Sequence, residues 1–329
     1  MTRVFINGFG RIGRTILRAW AQGGWPDIEG VGINDIAAPD LCAHLFEYDS
    51  VFGPFAGDVE LRGADLHLNG HVIPMHQTTD VREIDLTGVD VFLECCGKAN
   101  TRDFAQRGLE AGAKRVLISG PTDAADVTVV MGANDAALTD QAIVSNASCT
   151  TNALAPLVRL LDDTWSVQTG WMTTIHCFTG SQPSIDAPRG DMLRSRAASM
   201  SMVPTTTSAT QLIHQVLPDL NNQLTSASVR VPVASVSAVD MTATLNTDVT
   251  VQSLNETLIT ADTNIIGHTG QPLVSSDLRS RPESLIVALP ETMVTTQRQV
   301  RIFGWYDNEW GFSSRMIDMA IRMSARPGL

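Results

Sequence analysis

Ser145-Asn146-Ala147-Ser148-Cys149-Thr150-Thr151-Asn152 follows an apolar, strand-like run and precedes Ala-Leu-Ala-Pro-Leu-Val-Arg-Leu-Leu. Small polar residues ahead of an apolar helical pattern are N-cap chemistry, so Cys149 is expected at or near the start of a helix. A helix N-terminus favours negative charge and lowers a thiol pKa, which makes Cys149 the candidate nucleophile. Such a thiol needs a base. Trp171-Met172-Thr173-Thr174-Ile175-His176 is a β-type run with His176 at its end, a position from which side chains often reach a site. Spacing alone does not single His176 out from His44, His67, His71, His76, His214 and His268.

A second chemical signal opens the chain. Val4-Phe5-Ile6-Asn7 runs into Gly8-Phe9-Gly10-Arg11-Ile12-Gly13, a GxGxxG between a strand and a helix. Gly8 permits the tight turn, Gly10 lets backbone approach a pyrophosphate, and Gly13 allows close helix–strand packing. The phosphates are then expected at the helix N-terminus, against free N–H groups. The second strand ends in Gly32-Ile33-Asn34-Asp35, and Asp35 lies 22 residues beyond Gly13. An acid there accepts hydrogen bonds from a ribose diol and repels a 2′-phosphate, which favours NAD over NADP. The remaining cysteines (Cys42, Cys95, Cys96 and Cys177) make no CxxC and no zinc-ligand spacing with Cys149, so no metal site is expected. Cys42, Cys95 and Cys96 are expected to be buried small apolar residues.

These residues need a scaffold. The first half alternates strand-like runs (3–7, 30–35, 90–95, 115–119, 127–131, 142–146) with helix-like segments (11–22, 100–111). That alternation predicts parallel strands in a doubly wound, Rossmann-type α/β sheet. After about residue 150 come longer β-rich segments (171–178, 228–233, 236–245, 285–289, 300–306) and a closing helix near 313–323. They predict a second, α+β domain on a mostly antiparallel or mixed sheet. Residues 179–208, rich in Ser, Thr, Arg and Pro, read as a long functional loop.

The 329 residues suffice for two domains, and a composition 43% hydrophobic and 18% charged is that of a globular chain. A formal charge of −12 argues against nonspecific nucleic-acid binding or attraction to an anionic membrane. No apolar run has the length of a membrane span. The N-terminus enters a strand-like segment at once, leaving no room for a signal peptide. A cytoplasmic protein is expected.

Longer strings extend this reading. Asn7–Arg14, Tyr48-Asp49-Ser50-Val51, Ser145–Asn152, Thr173–His176, Arg230-Val231-Pro232 and Trp305-Tyr306-Asp307-Asn308-Glu309-Trp310-Gly311 together resemble the glyceraldehyde-3-phosphate dehydrogenase family, in collinear order from residue 2 to about 325. The resemblance implies a homotetramer of two-domain subunits. The NAD-binding domain would cover 1–148 and be joined by a C-terminal helix over 312–329, with the catalytic domain over 149–311. It also implies NAD-dependent oxidation of D-glyceraldehyde 3-phosphate, with inorganic phosphate, to 1,3-bisphosphoglycerate. Cys149 would form a thiohemiacetal and then a thioester, with His176 as general base. Gly8, Gly10, Arg11, Ile12, Gly13, Asp35, Ser119 and Asn308 would hold the cofactor, Asn308 at the nicotinamide carboxamide. Thr179, Ser181 and Arg230 would bind the substrate's C3 phosphate. Ser148, Thr150, Thr207, Ser208 and Arg194 would bind the attacking phosphate.

The chain departs from the family pattern in places. Ala153 stands where a second cysteine is usual, Thr207-Ser208 replaces Thr-Gly, and Cys95-Cys96-Gly97 replaces Ser-Thr-Gly. Lys98-Ala99-Asn100 replaces a more aromatic segment. Pro188 fits NAD-using members, whereas Ala187 resembles NADP-using ones. The near alternative is erythrose-4-phosphate dehydrogenase, a branch that generally lacks the threonine found here as Thr179. The far alternative is a non-enzymatic, NAD-bound redox sensor using Cys149.

Overall fold

Three short runs of the first half, Val91–Glu94, Arg115–Ile118 and Ile143–Ser145, have every residue buried. Strands covered on both faces are the rule in parallel sheets flanked by helices. In the computed structural model, which describes residues 1–220 and 222–325, they join a nine-stranded sheet. Its order is Val127–Thr128, Ile143–Ser145, Arg115–Ile118, Val91–Glu94, Thr2–Asn7, Ile28–Asn34, His71–His76, Asp65–Leu68, Val59–Arg62. Neighbours are parallel as far as His71–His76, and the last two strands pair antiparallel. From Thr2–Asn7 the chain builds first toward Ile28–Asn34 and later toward Val91–Glu94 on the other side. Strand order therefore reverses at Thr2–Asn7, and the crevice beyond its carboxyl end is where doubly wound sheets bind ligands.

The glycines at that end differ in what they do. Gly8 adopts φ +90°, in the left-handed region, and a Cβ there would lie 2.6 Å from the Cys96 nitrogen. At Gly13 a Cβ would lie 2.2 Å from the Gly8 carbonyl oxygen, so helix Arg11–Ala21 can approach the turn only as glycine. Around Gly10 nothing lies within 4 Å. That backbone faces open space.

Several elements differ from the sequence expectation. The helix expected over 100–111 is two short ones, Arg102–Ala105 and Arg107–Glu110, broken at Gln106, whose ψ is −8°. The strand expected over 127–131 is only Val127–Thr128. The ribbon Val59–Arg62, Asp65–Leu68, His71–His76 is additional, and Pro74 within its last strand argues against strand when read from sequence. Cys42 is buried as expected, but Cys95 and Cys96 are only partly buried, because both stand at the carboxyl end of the sheet beside the crevice.

The chain forms two compact units. The first comprises Met1–Val129, Asp135–Ala147 and the chain from Ser313; the second comprises Val130–Asn134 and Ser148–Phe312. Helix Trp310–Ser324 closes the described chain, and its later turns are tied into the first unit. There Trp25 Nε1 donates to Asp318 (2.6 Å), and the Thr2 and Ser324 hydroxyls pair at 2.5 Å. Of the closing helix expected over 312–329, residues 326–329 lie outside the described residues.

The second unit is built on an eight-stranded mixed sheet, in the order Val203–Thr205, Leu224–Val231, Val167–Cys177, Ser237–Leu245, Gln299–Tyr306, Leu285–Ala288, Ile266–Thr269, with Met293–Thr295 also on Gln299–Tyr306. Ser237–Leu245 and Gln299–Tyr306 alternate buried and half-buried residues, the period-2 pattern of strands with one face on a core. The loop expected over 179–208 is irregular only as far as Met202. Val203–Thr205 then pairs antiparallel with Leu224–Val231, despite Pro204, because it occupies the sheet edge. Among the described residues no helix is long and apolar enough to cross a membrane.

Gly13→Ala is expected to lower stability by about 1–3 kcal/mol through overpacking. Gly10→Ala should leave the melting temperature unchanged. Equal melting shifts for the two variants would contradict this division.

Candidate active site

Strand Ile143–Ser145 turns into helix Cys149–Trp165 within three residues. Ala147, fully buried, takes φ +55° to make that turn, a conformation that costs a non-glycine residue about 1–2 kcal/mol. Ser148 is the N-cap, its hydroxyl accepting the Thr151 N–H at 3.1 Å. Cys149 is thus the first residue of the helix, where the N-cap pattern places it.

His176 arrives from strand Val167–Cys177, and its Nε2 lies 3.7 Å from Cys149 Sγ. That strand pairs parallel with Leu224–Val231, which puts Arg230 directly across from His176. Arg230 Nη1 lies 2.8 Å from His176 Nδ1 and donates to the Cys177 carbonyl oxygen at 2.9 Å, while Nδ1 is itself 2.7 Å from that oxygen. Two tautomers fit. Nδ1–H can donate to Cys177 and leave an Nε2 lone pair for the thiol, or Nδ1 can accept from Arg230 and turn Nε2–H toward sulfur. Either form is neutral, since burial and the Arg230 charge hold His176 down to about 3.

For Cys149, burial pushes the thiol up, while Arg230 and hydrogen bonds at Thr150 and Cys149 itself pull it down. The helix start and Arg230 favour the thiolate, and burial opposes them, raising the thiol above its ordinary value.

Tyr306 frames this pair, and spacing had given it no role. Its hydroxyl bonds Thr150 Oγ1 at 2.9 Å and Thr174 Oγ1 at 2.8 Å, and its ring meets the His176 ring edge-on at 6.0 Å. Helix start, base strand and closing strand are thereby pinned together. The only sequence signal was its place in the string Trp305–Gly311. Next to it, Asp307 accepts N–H bonds from Glu309 (3.0 Å), Trp310 (2.8 Å) and Ser280 (2.9 Å), which fixes the backbone on either side of Asn308.

The proposed anion-binding residues fall into separate groups. Thr179 and Ser181 pair their hydroxyls at 2.9 Å. Arg194 donates to Thr205 Oγ1 (2.6 Å) and to Thr206 O (3.1 Å). The Thr207 hydroxyl accepts from Ala209 N–H, and Ser208 occupies the N-cap position of helix Ala209–Val216 without a side-chain bond. The Ser148 and Thr150 hydroxyls are already taken by Thr151 and Tyr306, which leaves backbone N–H groups as what that helix start has to offer. No carboxylate pairs with Arg230 or Arg194 among the described residues. Burial, and to a lesser degree the like charge of Arg194, lowers Arg230. Guanidinium groups without carboxylate partners are chemically suited to anions.

In the first unit a cavity of about 290 Å³ opens at the end of Thr2–Asn7, lined among others by Gly8, Gly10, Asn34, Asp35 and Cys96. The Asp35 carboxylate accepts Phe9 N–H at 2.6 Å and Ala37 N–H at 2.9 Å, which holds it at the rim. Beneath, Asn7 donates to Glu94 at 2.9 Å and accepts from Asn34 at 2.8 Å, a buried polar floor. The open Gly10 backbone and an oriented carboxylate fit a pyrophosphate and a ribose diol. Arg11, Ile12, Gly13 and Ser119 do not line this cavity. The Arg11 guanidinium is bound by Asp49, and Ser119 N–H donates to Glu94 O (3.0 Å). Only the Arg11 and Ile12 backbone, in the first turn of the helix, remains suited to phosphate.

At pH 7, iodoacetamide should modify Cys149 roughly tenfold more slowly in Arg230→Gln, because a nearby cation favours thiolate. His176→Asn should also be slower. Unchanged rates in both would remove these residues from thiol activation. His176, held down to about 3 against an ordinary 6.5, refuses a proton that the unfolded chain accepts. Its environment therefore costs no stability above pH 6.5 and an increasing amount as pH falls toward 3. His176→Asn should unfold less readily with acid across that window, as followed by circular dichroism.

Residues 2–102 match the family profile described as glyceraldehyde 3-phosphate dehydrogenase, NAD binding domain, and residues 148–308 match that of its C-terminal domain. The chain is 45% identical over 328 residues to the glyceraldehyde-3-phosphate dehydrogenase of Xanthobacter flavus, covering 98% of each. Identity to the protein of the same name from Cereibacter sphaeroides is 44% over 326 residues, again 98% of each. It is 40% over 337 residues for glyceraldehyde-3-phosphate dehydrogenase 1 of Bacillus subtilis, 99% of each.

Proposed function

This chain belongs to the glyceraldehyde-3-phosphate dehydrogenase family, and on that footing we propose that it carries out NAD-dependent oxidation of D-glyceraldehyde 3-phosphate through a covalent bond to Cys149. The observation that carries the reading is the 3.7 Å contact of Cys149 Sγ with His176 Nε2, beside an Arg230 that no carboxylate among the described residues neutralises.

The aldehyde carbon is attacked by Sγ as the thiol proton passes to Nε2 of His176, which then hands it to the aldehyde oxygen, giving a thiohemiacetal and a neutral imidazole again. The oxygen that gains charge is met by Nε2–H and the Cys149 backbone N–H. NAD, when bound against Gly8, Gly10, Asp35 and the backbone of Arg11 and Ile12, supplies the hydride acceptor. Asn308 holds its carboxamide. His176 takes the hydroxyl proton as the thiohemiacetal is oxidised, leaving an acyl thioester on Sγ. Inorganic phosphate, held by Arg194, Thr207, Ser208 and the N–H groups at Ser148 and Thr150, attacks the thioester carbon. The products are 1,3-bisphosphoglycerate and the thiol, whose sulfur recovers its proton from His176. Arg230, Thr179 and Ser181 take the substrate's own C3 phosphate.

The protein is further proposed to act in the cytoplasm as a homotetramer. The exposed side chains of Ile185, Met192, Leu193, Met200 and Met202 support self-association, since one segment presents so much apolar surface.

Initial rates with NAD and NADP against glyceraldehyde 3-phosphate and erythrose 4-phosphate, with and without phosphate, test the reading. A higher kcat/KM for the triose with NAD, and dependence on phosphate, are expected. A clear preference for the tetrose overturns the substrate, and no NADH from either aldehyde overturns the enzyme. Cys149→Ser should abolish turnover while NAD still binds.

A further inference from the structure

Cys177 is a buried thiol that this chemistry does not use. It follows His176 at the end of strand Val167–Cys177 and is 1% exposed. Its Sγ lies 3.1 Å from Asn308 Oδ1, and Ser237 Oγ lies 3.1 Å from the same oxygen. Cys177 N–H donates to Ser237 Oγ at 3.1 Å.

The hydrogens in this cluster have one consistent arrangement. Ser237 Oγ already accepts from the Cys177 backbone, so its own hydrogen is free to go to Asn308 Oδ1. The Cys177 S–H goes to the other lone pair of Oδ1. Burial pushes the Cys177 thiol up to about 12, so the sulfur keeps its hydrogen through the working pH range. Both lone pairs of Oδ1 are filled. A flipped amide would have to donate to the second lone pair of Ser237 and to sulfur, a weak acceptor, and would leave the buried O–H and S–H without the acceptor they have here. Asn308 Nδ2 has no protein partner among the described residues, so it is the group left for a ligand.

We infer that Cys177 and Ser237 are positioning residues that lock the Asn308 amide with its carbonyl inward, so that the site recognises a hydrogen-bond acceptor, the carbonyl oxygen of the cofactor's carboxamide, and not its NH₂. The inference rests on the proposed contact between Asn308 and the nicotinamide ring substituent. It predicts tolerance of a cofactor whose carboxamide is replaced by a ketone, since the oxygen that Nδ2 reads is kept.

The test compares kcat/KM for NAD with that for its 3-acetylpyridine analogue. In the double variant C177A/S237A the amide is free to turn Oδ1 toward the ligand, where it can accept from a carboxamide NH₂ but gains nothing from a ketone. The NAD-to-analogue ratio should rise by about tenfold, the worth of one unmet buried hydrogen bond. C177A alone should move it the same way by less, and C177S, which keeps a donor, should restore it. No change of the ratio in C177A or the double variant overturns the lock. If the double variant does not fold, C177A against C177S decides. N308D, which removes the NH₂, separates the two ideas. If NAD kinetics are unchanged in N308D, the Asn308 contact itself is wrong; if they collapse while the ratio stays fixed in C177A, only the lock is wrong.

Discussion

The contact between Cys149 Sγ and His176 Nε2 joins a helix start to a strand end that come from different parts of the second unit. Neither residue could keep that distance alone. The thiol is held by the Ser148 cap and by the left-handed Ala147 before it. The imidazole is held by its strand, by Cys177 O and by Arg230 on the neighbouring strand. Tyr306, from a third strand, bonds a threonine on each side and so ties the two supports together. A few short bonds between regular elements set the reacting atoms, and the irregular segment 179–202 is not among them.

The electrostatics follow from the same packing. Burial keeps His176 neutral and opposes ionisation of Cys149, with Arg230 beside them as the nearby cation. A cation without a carboxylate is costly to bury. It becomes an asset when an anionic ligand arrives, because the attraction is then not shared with a permanent partner. The neutral imidazole and a guanidinium with no carboxylate partner among the described residues are thus complementary features of a site suited to receive charge.

Much of this was legible in the sequence because it rests on local rules. The cap at Ser148, the glycine roles at Gly8, Gly10 and Gly13, and the buried parallel strands each follow from a few neighbouring residues. What stayed hidden depends on contacts between distant elements. Arg230 opposite His176 is a matter of strand register, and the hydroxyl of Tyr306 matters because of two threonines more than a hundred residues away. The balance at the thiol is hidden for a related reason. A helix start can be read from a string of polar residues, but the burial that outweighs it cannot. Pro74 and Pro204 concealed two strands, since proline is a poor strand former unless its missing N–H goes unneeded.

The parallel ladder between Val167–Cys177 and Leu224–Val231 also governs how this chain can diverge. Successive side chains on a strand face opposite ways, so a slip of one residue would carry Arg230 to the far side of the sheet and leave His176 without its neighbour. The intervening stretch, with its irregular segment, can gain or lose residues without harm if the ladder re-forms in the same phase. The length of that stretch is free to drift over evolutionary time; the phase of the ladder is not.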